Sequence, residues 1–350
     1  MKPRGSRVIK VAILPGDGIG PDVINATIPV LDAVQDAVKG LKLEYVFAEA
    51  GLNCIAKYGT NLPEETIEVL KSVDCCLKGP LTTPEQPKSP RSAAVKIRTM
   101  FDLYVNLRPL KSLPNVPSLK PDIDMVIVRE NTEGLYSGIE FTIGKDSAAA
   151  IRLITRKGCE RVARFAFELS RRRKKHLTYV HKGNILKITD GIFKDSVLKL
   201  AKEFPEVRID ELRVDAAAMN LLKRPKFFDV IVTTNLFGDI LSDEGAQIVG
   251  GLGVAPGANI GENYAMFEPI HGSAPKYTGM DKVNPIATIL ASKLMFDWLG
   301  FKNAADKIEG AVKKVLGEGR VLTFDIALPK VKPAKCSEMG KEIGKHILEG

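Results

Sequence analysis

Val11–Ile24 reads VAILPGDGIGPDVI: an apolar strand, a glycine-rich bend and the start of a helix. Its centre, Gly16-Asp17-Gly18-Ile19-Gly20-Pro21, nearly matches G-x-G-x-x-G, the turn that lays a pyrophosphate on a helix N-terminus. Position 21 is proline, where the third glycine should fall. Asp17 also puts a carboxylate where backbone N–H groups would meet phosphate. The glycines suit a tight turn after the first strand, and Pro21 suits the first turn of a helix. The stretch predicts a strand–turn–helix unit of an α/β protein that departs from the Rossmann fingerprint, and leaves open a nucleotide-binding loop or a plain turn.

The same rhythm continues outward. VIKVAIL (8–14), LEYVFAEA (43–50), DCCLKGP (74–80), DMVIVREN (124–131), HLTYVHKGN (176–184) and FDVIVTTN (228–235) read as strands. Helical patterns intervene at 21–38 and 63–73, with apolar residues at 3.6-residue spacing. This alternation predicts an open, mostly parallel sheet with helices on both faces. Such sheets bind ligands beyond the carboxyl ends of their strands, which here carry Arg129-Glu130-Asn131, His181-Lys182-Gly183-Asn184 and Asn235. KSLPNVPSLKPDID (111–124) reads as a proline-rich surface connection. Glycine and proline crowd residues 250–285, which read as a long functional loop.

The 350 residues suffice for one large or two ordinary domains, and 45% hydrophobic with 27% charged residues is ordinary globular composition. No apolar run reaches membrane-spanning length. The basic start MKPRGSRVIK runs straight into a strand, without a secretory pattern. Five irregularly spaced cysteines fit neither a disulfide scaffold nor a metal site, so a reducing cytoplasm is expected. The net charge of +9 admits a nucleic-acid binder or an enzyme that collects arginines for an anionic substrate. RRRKK (171–175) ends a helical pattern, where cations oppose the negative end of the dipole. No aromatic residues interleave with it as a single-strand binder needs. Neither nucleic acid nor membrane is expected as a partner.

Three constellations carry chemistry. In NLFGDILSDEGAQ, Asp239 and Asp243 lie four apart on one helix face. Two such carboxylates repel alone and become favourable around a divalent cation such as Mg2+ or Mn2+. Asp215 is a further acid in an apolar segment. Arg98, Arg108 and Arg129 offer planar forks for carboxylates and together suggest a polycarboxylate. Lys182 ends an apolar strand, where burial would draw its pKa toward that of a general base; a snorkelling lysine is the alternative. Tyr136 is a candidate proton donor. No ligand spacing links His181 and His271; both are ambiguous, and a lone histidine is more often structural.

Together these segments resemble the β-decarboxylating dehydrogenase family of isocitrate, 3-isopropylmalate and homoisocitrate dehydrogenases. The resemblance runs from GDGIGP to KCSEMGKEI, through FDLYVNLRP, VRENTEGLYSGIE, HKGNILKITDG, NLFGDILSDEGAQIVGGLGVAPGANIG and FEPIHGSAPKYTGMDKVNP. It implies a two-domain α/β open sheet that is not a Rossmann fold, with residues 1–103 plus 252–350 binding cofactor. Residues 104–251 would carry substrate, metal and the dimer interface. Arg98, Arg108 and Arg129 match the family's substrate-carboxylate arginines, Tyr136 its acid and Lys182 its base. Asp215, Asp239 and Asp243 match its metal-binding acids. Lys182 and Asp215 would serve the neighbouring subunit of a homodimer.

Substrate choice in the family is read before Arg98. On a helix, Arg91, Ala94 and Arg98 would form one stripe. Arg91-Ser92 looks like isocitrate dehydrogenase, with Ser92 meeting the third carboxylate. Ala94 departs from the asparagine common in bacterial isocitrate enzymes and leaves room for a longer acid. Homoisocitrate, whose distal carboxylate Arg91 could meet, is therefore an alternative, as is 3-isopropylmalate. For the cofactor, Lys276 and Tyr277 stand where NAD enzymes carry an acid, so NADP is expected and NAD is the alternative. Phe324 and Leu328 replace the tyrosine and arginine of bacterial NADP enzymes. His271, Gly272, Ser273, Ala274 and Asn284 match the adenosine loop, and Thr83 and Asn184 match further cofactor contacts.

Overall fold

The computed structural model describes residues 8–86 and 89–350; the basic start at 1–7 lies outside them. The chain begins with β1 (Ile9–Leu14), α1 (Gly20–Ala37), β2 (Leu43–Phe47), α2 (Leu52–Tyr58), α3 (Glu64–Ser72), β3 (Cys75–Lys78) and α4 (Ala93–Met100). Then come β4 (Val105–Lys111), β5 (Asp124–Glu130), β6 (Gly134–Ile143), β7 (Ser147–Leu153), α5 (Arg156–Arg172), β8 (His176–His181) and α6 (Thr189–Ala201). β9 (Arg208–Arg213), α7 (Val214–Lys223), β10 (Val230–Thr233), α8 (Asn235–Val249), β11 (Pro256–Ile260) and β12 (Ala265–Pro269) follow. α9 (Ile286–Leu299), α10 (Lys302–Glu318) and α11 (Cys336–Glu349) complete the chain.

Ten strands form one mixed sheet in the order β2-β1-β3-β12-β11-β4-β5-β10-β8-β9. The flanks are parallel, because helices return the chain between those strands. The centre, β12-β11-β4-β5, is antiparallel. There the connections at 112–123 and 261–264 carry no helix, so the chain doubles back. The reading of 250–285 as one loop is thereby corrected: it holds β11 and β12, both fully buried at the centre of the sheet. Glycine and proline masked strands whose backbones are paired on both sides.

Strands from 1–103 and 252–350 lie together at one end of the sheet and those from 104–251 at the other. They meet at the β11–β4 pair. Lys111 to Glu309 (2.7 Å) and the Asn115 amide to the Leu316 carbonyl (2.8 Å) tie the two ends together. The β6–β7 hairpin stands apart as a separate two-stranded sheet, with Ile139, Phe141, Ile143 and Ile151 exposed.

The basic run closing α5 is built into the fold. Arg173 pairs with Asp124 and Asp229, each at 2.8 Å, and Arg171 lies over the Phe204 ring. All five cysteines are buried and none forms a disulfide. Among the described residues, no helix is long and apolar enough to cross a membrane.

Candidate active site

The GDGIG bend is held by protein rather than shaped for phosphate. Asp17, 4% exposed, accepts from Leu52 N (2.8 Å) and Thr82 N (2.7 Å). Asp17 N donates to the Pro80 carbonyl and Ile19 N to the Ser273 carbonyl, both at 2.9 Å. A Cβ at Gly16 would sit 2.2 Å from Pro80 O, and one at Gly18 2.0 Å from Ser273 O. The glycines therefore let three backbone segments meet. The bend clasps the 271–277 loop to the carboxyl ends of β1 and β3.

The predicted arginines and acids converge beside it. Arg129 ends β5 at 1% exposure and donates through Nε (2.9 Å) and Nη2 (2.7 Å) to Asn235 Oδ1, at the start of α8. Its Nη1 donates to Asp239. Arg108 Nη1 lies 3.2 Å from both Asp239 Oδ1 and Asp243 Oδ1. Arg98 Nη2 donates to Glu268 (3.0 Å), while its buried Nε has no partner. The Tyr136 hydroxyl donates to Asp239, and the Tyr136 ring lies under the Arg129 guanidinium at 4.9 Å.

Burial raises the Tyr136 phenol and keeps it protonated. Burial would also raise Asp239, but Arg129 and Arg108 outweigh it and hold this carboxyl low. Burial and then the Arg108 charge lower Arg129 to about 10, so it stays cationic at neutral pH. Asp243 is raised, first by burial and further by Asp239, with Arg108 only partly opposing. Asp239 and Asp243 thus offer hard oxygen donors, one of them short of positive charge, and fit a divalent cation.

Lys182 and Asp215 form a second group. Lys182 Nζ donates to Asp215 Oδ1 at 2.8 Å, and its backbone N donates to the buried Asp190 at 2.6 Å. Asp215, 63% exposed at its side chain, is lowered by that lysine. Among the described residues no hydrogen bond or ion pair joins this group to Asp239 or Tyr136. Exposed Ile185, Ile188, Met219 and Leu222 surround it in sequence. His181 is structural: it meets Glu211 at 3.0 Å and accepts from Gly183 N at 2.9 Å.

One expectation around α4 needs correction. Arg91 precedes the helix, so it does not share a stripe with Ala94 and Arg98. Ser92 is the N-cap, its hydroxyl oxygen accepting from Val95 N at 3.5 Å. That bond uses a lone pair and leaves the hydroxyl proton free for an acceptor such as a carboxylate.

The adenosine-loop residues gather beyond the bend. His271 Nδ1 meets Gly272 O (3.0 Å), while His271 Nε2 is buried with no partner; burial lowers this imidazole, so it is neutral. The unpartnered His271 Nε2 fits a hydrogen bond to a bound base or ribose. Ser273 Oγ pairs with Thr82 Oγ1 at 2.6 Å, and Ala274 adopts φ 37°. Asn284 is engaged with Asp325 and Ile286 N, each at 3.0 Å. Thr83 and Asn184 are exposed. Lys276 lies over the Tyr277 ring at 4.6 Å. Lys282, missed in the sequence, lies 5.0 Å over Tyr277 and 4.7 Å over Phe324. Its signal was a second lysine six residues after Lys276. Leu328 turns away to pack on Gly319.

An α/β sheet carrying arginines, paired acids and a phenol at its carboxyl edge defines an oxidoreductase site for small acids. The family model described as isocitrate/isopropylmalate dehydrogenase matches residues 10–343, and the chain belongs to that family of metal-dependent β-decarboxylating dehydrogenases. It is 46% identical to the 3-isopropylmalate/3-methylmalate dehydrogenase of Methanocaldococcus jannaschii, covering 97% of this chain and 99% of that protein. It is 43% identical to the homoisocitrate dehydrogenase of the same organism, covering 97% and 98%. The crystal structure of isocitrate dehydrogenase from Methylococcus capsulatus superposes with a TM-score of 0.92 at 42% identity, covering 97% of this chain and all of that one. The family uses NAD or NADP with a divalent metal ion, and its members bind small acids and are often dimers.

Proposed function

We propose that this protein is an NADP-linked, Mg2+- or Mn2+-dependent dehydrogenase that converts isocitrate to 2-oxoglutarate and CO2 as a homodimer. One observation carries the reading: Arg108, Arg129 and Tyr136 all converge on Asp239 at the carboxyl edge of the sheet. Arg98 lies near enough to act on the charge of Asp239 as well. Three guanidinium groups next to two acids match a polycarboxylate bound together with a divalent cation.

Asp239 and Asp243 would hold the cation, with Asp215 of the second subunit completing the oxygen set. When bound, the cation polarises the substrate hydroxyl and the keto oxygen that replaces it. Arg98, Arg108 and Arg129 bind and orient the carboxylates, exchanging their present carboxylate partners for those of the substrate. Ser92 offers its proton to the third carboxylate. Lys182 of the second subunit takes the hydroxyl proton as hydride leaves for the nicotinamide. After CO2 departs, the phenol of Tyr136, kept protonated by burial, delivers its proton to the enol carbon.

The homodimer is supported by the absence, among the described residues, of any hydrogen bond or ion pair between Lys182–Asp215 and the Tyr136 cluster. The exposed apolar residues of β6–β7 and around Lys182 support it too. The two ends of the sheet, 1–103 with 252–350 and 104–251, are read as the two domains. NADP is supported by Lys276 and Lys282 flanking Tyr277, two cations suited to a ribose phosphate.

A second reading, a longer or more apolar 2-hydroxy acid such as homoisocitrate or 3-isopropylmalate, is favoured by the small and apolar side chains of Ala94 and Val95 in the first turn of α4, before Arg98. With isocitrate, NADP and Mg2+, CO2 and NADPH should form one to one and both should stop in excess EDTA. NADPH formation without CO2, or full activity in EDTA, would defeat the proposal.

A further inference from the structure

Arg91 has a place that none of these roles uses. Its main-chain carbonyl accepts from Asn61 Nδ2 at 2.8 Å, and Asn61 is fully buried in the half that holds both chain ends. Asn61 Oδ1 in turn accepts from Lys96 Nζ at 2.9 Å, on α4. The guanidinium reaches the other half. Nη2 donates to the carbonyl of Ser137 at 2.7 Å and to that of Tyr136 at 3.1 Å. Gly138, at φ +66°, leaves the seat: a Cβ there would lie 2.6 Å from the same Nη2. The residue bearing the phenol is thus tethered at its hydroxyl by Asp239, at its ring by Arg129 and at its backbone by Arg91. The first two tethers belong to the phenol's own half of the sheet. Arg91 alone of the three comes from the opposite half.

We infer that Arg91 is a positioning residue that latches the Tyr136 strand from the opposite half of the sheet, so that the phenol is held in line with the reacting carbon. The inference rests on the proposed oxidative decarboxylation. It assigns Arg91 to the protonation step rather than to the distal carboxylate of a substrate. Two bonds from a charged donor to main-chain carbonyls fix backbone position in a way that a lysine, with one compact ammonium, reproduces in part.

The test compares Arg91→Met and Arg91→Lys with the unsubstituted enzyme, using isocitrate, NADP and Mg2+. The latch predicts that Arg91→Met lowers kcat about tenfold or more, changes the isocitrate KM less than about threefold, and is partly rescued in Arg91→Lys. Protonation at carbon then limits turnover. The solvent deuterium isotope effect on kcat should therefore rise, while that from deuterium at the oxidised carbon should fall. A raised KM with unchanged kcat would assign Arg91 to substrate binding and overturn the latch, as would a lowered kcat with unchanged isotope effects. Should Arg91→Met not fold, the same readouts on Arg91→Lys decide the matter. Absence of turnover in the unsubstituted enzyme would instead defeat the functional proposal.

Discussion

Replacing Asp17 by alanine separates a structural clasp from a phosphate cradle, because the two predict opposite outcomes. The carboxylate accepts two short backbone bonds, from Leu52 N and Thr82 N, and a third at 3.4 Å from Asn53 N. A bond to a charged acceptor contributes about 1.5–3 kcal/mol, and the long one adds little. Both short bonds are only partly buried, so the lower figure applies to each. The expected loss for Asp17→Ala is about 3 kcal/mol. The bend also carries Ile19 N to Ser273 O, so nucleotide affinity should weaken as the 271–277 loop loosens. Equilibrium urea unfolding and nucleotide titration measure the two effects. In a phosphate cradle the acid would only repel, and its removal would tighten binding. Unchanged stability together with tighter NADP binding would refute the clasp.

Three further outcomes follow from the geometry. Burial alone would raise the Glu309 carboxyl, but bonds from Lys111 and Lys313 bring it down to about 2. With an unfolded value near 4.5, this stabilises the fold by on the order of 3 kcal/mol above that pH and fades as pH falls toward 2. Glu309→Gln should therefore cost that much at pH 7 and little near pH 2 in denaturant titrations; a gap independent of pH would contradict it. Lys276→Asp and Lys282→Ala should weaken NADP binding far more than NAD binding by calorimetry, and equal effects would remove both lysines from the phosphate site. Tyr136→Phe and Lys182→Met proteins, each inactive, should regain up to about a quarter of full activity when unfolded together and refolded, if each site draws on two chains; no recovery despite mixed dimers would place each site within one chain.

How far the sequence could be read depended on what its residues do locally. β1 is an apolar run, and β5, β8 and β10 are apolar runs that end in polar residues, so the strands and the edge carrying Arg129 and Lys182 were legible. β11 and β12 were not, because PGANI and AMFEP are stabilised by neighbours on both sides rather than by propensity. Asp17 misled in an instructive way. Its charge excluded a phosphate cradle, but its backbone partners lie 35 and 65 residues on. Arg91 changed meaning, and Ser92 gained a capping role, because the helix begins at Ala93. One hydroxyl oxygen caps that helix, and the guanidinium leaves it for the Tyr136 strand. Lys282 was overlooked because its value comes from Phe324, which reaches it from 42 positions later. The β6–β7 hairpin was hidden because its apolar residues face outward, so it has no core to announce it.

The most direct test is kcat/KM for isocitrate, homoisocitrate and 3-isopropylmalate, each with NADP and with NAD, at saturating Mg2+. The account predicts the highest value for isocitrate with NADP. A higher value for homoisocitrate or 3-isopropylmalate, or for any of the three acids with NAD, would contradict it.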